Sequence, residues 1–192
     1  MKAGAAALAV FAAVWFLLNR LGGANNGAVD VALIETNLAL ANLSGGSVIN
    51  MRLSKSGLQA IAEREGFSAT RYKDASGYSI GYGHFIQIGE SFSEPISREE
   101  AGALLAADSE IAQKAVRAYV TVPLSNAQYD SLVSLVYNIG SGAFRKSTLL
   151  KNLNAGDYTG AAGGMLAWNK SGGVVLAALD ARRAAEYQQF FG

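Results

Sequence analysis

Residues 65–84 read EGFSATRYKDASGYSIGYGH, and the rest of the chain is arranged around them. Glu65 closes a stretch with helical spacing, Asp74 stands at a strand-to-turn junction, and Ser79 carries a hydroxyl just beyond the turn. Two carboxylates in unlike settings suit glycosidic bond cleavage. One protonates the leaving oxygen while the other activates water or attacks the sugar.

Upstream of this stretch, Ser54 to Glu65 predicts a helix with Ser54 as N-cap and Gly66 as the residue that ends it. Leu58, Ile61 and Ala62 mark its apolar face, and Glu65 falls next on that stripe, whereas Glu63 points to solvent. Desolvation on a core-facing stripe favours the protonated carboxyl, the state a general acid needs. A buried Glu paired with an arginine is the structural alternative. Downstream, Tyr72, Tyr78, Ile80 and Tyr82 give residues 69–88 strand character, with Ala-Ser-Gly as the turn. Taken alone, Asp74 reads as a turn former. Gly81 and Gly83 lack the strand and helix context of a phosphate loop.

Beyond Pro95 the chain becomes helical. Capping boxes at Ser97–Glu100 and Ser125–Gln128 open two helices. The first is expected to run to about Val116 with Leu104, Leu105 and Ile111 inward, and the second buries Tyr129, Leu132, Val133 and Val136. Residues 140–144 read as a turn, 147–154 as a short helix, and about 158–168 as a weak one. Residues 174–191 read as a closing amphipathic helix. The expected fold is α+β and mostly α: a small β lobe joined by a long helix to a larger helical lobe.

At the other end, Ala3 to Leu18 holds sixteen residues without a charge, half of them Ala or Gly. As a helix it spans about 24 Å, slightly short of a bilayer core. A cleaved signal, an uncleaved signal anchor and a buried core helix compete. Asn19-Arg20-Leu21 makes a poor cleavage site, so a transmembrane or signal-anchor helix over residues 1–21 is the favoured reading. Lys2 favours an N-in orientation. Residues 22–50 read as a connector, with a Gly-Gly-Ala-Asn-Asn-Gly hinge and an apolar stripe at Val31, Ile34, Leu38 and Ala41. The main domain is expected over residues 51–192.

Composition narrows the function classes. Hydrophobic residues make up 51% of 192, enough for a sizeable core rather than a disordered chain. The formal net charge of +1 offers no basic field for nucleic acid. Without cysteine there are no disulfides or thiolate metal sites, and His84 is the lone histidine, too little for a histidine-rich metal centre.

The order Glu-Gly, Tyr-Lys-Asp, Gly-Tyr-Gly-His resembles the phage lysozymes, the muramidase endolysins of T-even and lambdoid phages, over roughly residues 51–192. That family carries a Glu, an Asp nine positions later and a Thr after the next Gly. Glu65 and Asp74 keep the spacing; Ser79 occupies the hydroxyl position after a turn one residue shorter. Gln128 to Leu132, Tyr137 to Phe144 and Ser147-Thr-Leu-Leu resemble its second signature, and Arg182-Arg183 with Glu186 its closing motif. The resemblance implies a lysozyme-like fold acting on peptidoglycan, with Glu65 as acid, Asp74 as base or charge stabiliser, and Ser79 positioning water. It further implies a cleft lined by Phe85, Tyr137 and Ser147, a His84–Asp108 salt bridge between lobes, and Arg182 or Arg183 beside Glu65. For Tyr137, ordinary helical core is an equally good reading. No metal or cofactor is implied.

Two roles fit a membrane-tethered muramidase with its catalytic domain on the peptidoglycan side. One is an endolysin held by its anchor until host lysis. The other is a virion component that opens the wall during infection, alongside other virion proteins and a virion membrane. A lytic transglycosylase and a non-catalytic wall-binding protein are the alternatives.

Overall fold

A computed structural model describes residues 48–73 and 77–192. The apolar segment Ala3–Leu18, the connector up to residue 47, and Asp74 lie outside the described residues. Among those described, no helix is long and apolar enough to cross a membrane.

After a 3-10 turn at Val48–Asn50, helix α1 spans Lys55–Glu65. Ser54 caps it by accepting the Gly57 N–H, and Gly66 ends it by donating to the Ala62 carbonyl. Strands β1 (Ser68–Lys73), β2 (Tyr78–Gly81) and β3 (His84–Phe85) form an antiparallel sheet in that order. Tyr72 and Phe85 flank Ser79 across it, and His84 sits opposite Ile80. The register between β1 and β2 shifts between Ser68 and Tyr72, as at a bulge. Gly81 lets the sheet approach the long helix, since a Cβ there would stand 2.9 Å from Ala101 Cβ.

That long helix, α2, runs over Arg98–Tyr119 from a complete capping box at Ser97 and Glu100. A second complete box at Ser125 and Gln128 opens α3, Asn126–Ile139. Then come α4 (Ser141–Arg145), α5 (Thr148–Asn154), α6 (Tyr158–Met165), a hairpin of β4 (Lys170–Ser171) and β5 (Val174–Val175), and α7 (Ala177–Phe191). Alpha-helix α3 is the central post of the helical lobe, with eight consecutive residues buried from Tyr129 to Val136.

Among the described residues, two apolar clusters result. The larger joins Ile61 of α1, Leu105 and Val116 of α2, Leu132 and Leu135 of α3, Leu149 and Leu153 of α5, and Phe190 of α7. The smaller holds Ile80, Ile96 and Ala101 beneath the sheet. Fully burying one large aliphatic side chain is worth about 1.5–3 kcal/mol, so the helical lobe supplies most of the hydrophobic stabilisation.

Three local expectations are corrected. Ile111 is 71% exposed, because the inward face of α2 follows Ala101, Leu105, Ala112 and Val116. Six residues on from Leu105, Ile111 is turned about 120° away. Residues 141–145 form a short helix rather than a turn, started after Gly140 at positive φ. Val174 and Val175 belong to the hairpin, closed by Gly172 and Gly173 with both φ values positive, the pattern of a two-residue I′ turn.

Candidate active site

The last residue of α1 is Glu65, with a side chain that is 23% exposed. Its neighbour is a cation: Arg182 Nη1 of α7 lies 2.8 Å from Glu65 Oε1. The carboxylate expected on a desolvated apolar stripe is therefore only half-buried and charge-paired. Glu63, two residues earlier, is exposed and accepts a hydrogen bond from Gln59 at 2.9 Å.

Behind Arg182 a buried network ties α1, α3 and α7 together. Arg182 Nε lies 3.3 Å from Glu186 Oε1, and Arg183 Nε lies 3.2 Å from Glu186 Oε2. Ser134 donates to Glu186 Oε1 at 2.7 Å and accepts from Arg64 Nη1 at 3.0 Å. Arg64 also donates to Gln189, and Arg183 to Asn138. Glu186 and Arg183 are fully buried. The contacts at Glu65 Oε1, Glu186 Oε2 and Arg183 Nε are close but poorly aligned as hydrogen bonds, so they act as charge contacts. Burial pushes the Arg64 and Arg183 guanidinium pKa values down, with Glu186 opposing and Arg182 adding to the effect in both.

Tyr137 of α3 is partly buried and packs on the large cluster. Burial first, then the charges of Asp108 and Glu65, push its hydroxyl pKa upward, which keeps it a neutral donor. Ser79 is buried in the central strand, and Phe85 on β3 is partly exposed, its ring covering Gly77. Ser147 is occupied as an N-cap, accepting from Leu150 and donating to the Phe144 carbonyl.

At the junction of sheet and long helix, His84 Nδ1 meets Asp108 Oδ2 at 2.9 Å, and Nε2 meets Glu90 Oε2 at 3.1 Å. Burial is the largest influence on the imidazole and works against its charge. The two carboxylates together outweigh it and raise the pKa.

This architecture has relatives. The pattern of the Phage lysozyme family matches residues 62–186. The chain belongs to the phage lysozyme family. The lysozyme domain is 39% identical over 143 residues to an endolysin of Bacillus phage B103, covering 73% of this chain and 54% of that relative, so it spans about half the relative's length. A SAR-endolysin of Enterobacteria phage P21 is 31% identical over 150 residues, covering 76% of this chain and 88% of its own. Among solved structures, the muramidase domain of SpmX from Asticaccaulis excentricus superposes with a TM-score of 0.68 at 34% identity, covering 74% of this chain and 99% of that one.

Within the lysozyme domain, then, Glu65, Arg182 and Arg183 come together around Glu186. His84 and Asp108 meet at the lobe junction, and Tyr137 lies in the field of both carboxylates. Sequence reasoning missed Arg64, Ser134, Asn138 and Gln189 in the network and Glu90 beside His84. Glu90 follows His84 by six residues across a turn, where Gln87 N–H also donates to it at 2.7 Å. An acidic residue so placed is a local signal. The other four meet their partners only through tertiary packing.

Proposed function

We propose that this chain is a muramidase, hydrolysing the β-1,4 bond between N-acetylmuramic acid and N-acetylglucosamine in peptidoglycan. The observation that carries the reading is Glu65 at the helix end, half-buried and held by Arg182, in a domain of the phage lysozyme family. Glu65 gives its proton to the glycosidic oxygen as the bond to the anomeric carbon breaks. Asp74 takes a proton from the attacking water or stabilises the oxocarbenium charge, and Ser79 helps hold that water. Phe85, Tyr137 and Ser147 line the sugar cleft in this reading. Purified sacculi incubated with the protein should lose turbidity, and the released muropeptides should carry free reducing ends. Intact sacculi after incubation would leave a wall-binding role instead.

Residues 1–21 act as an uncleaved membrane helix, residues 22–50 as a connector, and residues 51–192 as the catalytic domain on the peptidoglycan side. The likeness to a SAR-endolysin supports this layout and favours host lysis over a virion role. Because half of residues 3–18 are Ala or Gly, the helix is held weakly. Ala6→Leu, Ala9→Leu and Ala12→Leu together should keep the protein in the membrane fraction and delay lysis. An unchanged lysis time with membrane-bound enzyme would mean a permanent tether.

A further inference from the structure

We propose that Glu186 is a positioning residue for Glu65, acting through Arg182: it holds the guanidinium between two carboxylates, so that Arg182 orients the acid without fixing it in its charged form. The inference rests on Glu65 being the general acid.

A general acid has to carry a proton before the reaction and lose it during the reaction. A guanidinium 2.8 Å away orients the carboxyl group but also favours its ionised form. Arg182 is not free to serve Glu65 alone. Glu186, one helical turn further along α7, takes the same guanidinium at 3.3 Å through Nε. Glu186 is itself held in place by the Ser134 hydroxyl and by Arg183, and it has no solvent exposure through which to relax. Among the described residues, the charged and titratable groups around Glu65 are Arg182, Arg183 and Glu186 from α7, Arg64 from its own helix, and Tyr137 from α3 with Asp108 of α2 beyond it. Of these groups Arg182 is the one in contact with Glu65, and Glu186 is the anion that competes for it.

Removing that competition should turn Arg182 wholly toward Glu65. In the full chain kept in detergent, kcat/KM on purified sacculi is measured against pH for wild type, Glu186→Gln and Glu186→Asp. Glu186→Gln should move the alkaline limb down by about one pH unit, an approximately tenfold loss above the limb with near wild-type rates below it. Glu186→Asp, which keeps the charge on a shorter arm, should move the limb less. In an Arg182→Gln background the change at 186 should have no further effect. A uniform loss at every pH, an unmoved limb, or a shift that persists without Arg182 would overturn the proposal. If Glu186→Gln does not fold, Glu186→Asp decides by the same criterion. If the wild type cleaves nothing, the muramidase reading fails. The ¹³C carboxyl titration of Glu65 then tests Glu186 alone, and an unmoved midpoint in the variants overturns it.

Discussion

His84 Nδ1 and Asp108 Oδ2 stand 2.9 Å apart, so the sheet's last strand is fastened to the middle of the long helix by a charge-assisted contact. The contact is strongest while the imidazole is charged, when both ring nitrogens can donate to the carboxylates they face. Because the His84 pKa is raised in the folded protein, the added stability is fully present below the unfolded value of about 6.5 and fades as pH rises through the folded value. Asp108→Asn should cost about 1.5–3 kcal/mol near pH 6, the range for hydrogen bonds to charged groups, and clearly less at pH 9. Urea unfolding at the two pH values checks this; an equal loss at both would assign the cost to packing.

Glu65→Gln should reduce sacculus hydrolysis by on the order of 10²–10⁴ while the fold survives, because an amide has no proton to give the leaving oxygen. Glu63→Gln should leave the rate within about twofold, since surface changes away from a site are usually small. Comparable losses at both positions, with both variants folded by circular dichroism, would contradict the assignment of the acid.

Asp74→Asn should cost nearly as much as Glu65→Gln, and Ser79→Ala less, if a positioned water is the nucleophile. Mass spectrometry of the products separates this from a transglycosylase, which lets the muramic acid 6-hydroxyl attack and releases sugars one water lighter. Lighter products from an Asp74→Asn variant of near-full activity would end the hydrolase reading.

Gly57→Ala should destabilise the domain although alanine is the better helix former by about 1 kcal/mol. A Cβ at position 57 would lie 2.5 Å from Asp130 Cγ, within the carboxylate that accepts the Ser54 N–H at 3.0 Å and also bonds the Ser54 hydroxyl. Asp130 is buried and has little room to withdraw. The overpacking should outweigh the propensity gain, for a net loss of about 1–3 kcal/mol. A raised melting temperature would refute it.

Local chemistry made much of this legible in the sequence. Both capping boxes, the Ser54 cap and the Gly66 stop follow from hydrogen bonds within a few residues, and each forms as expected. The Gly172-Gly173 turn carries an equally local signal, but the helix expected over 174–191 starts ahead of Ala177 and takes in β5. The stretch 65–84 shows where Glu65 lies, not what surrounds it. Ser134 meets Glu186 across 52 positions and Arg64 meets Gln189 across 125, and no periodicity encodes such meetings. Arg182 and Arg183 differ for the same reason: one reaches Glu65, while the other turns to Asn138.

Arg64 and Glu65 stand on the first helix of the lysozyme domain, and Arg182, Glu186 and Gln189 on its last. On the ribosome, a growing chain therefore displays Glu65 more than a hundred residues before the cation that pairs with it has been made. A prematurely released or proteolysed fragment ending before α7 keeps Glu65 but loses its ion-pair partner. The Glu65–Arg182 pairing is thus withheld until the domain has been translated through its closing helix.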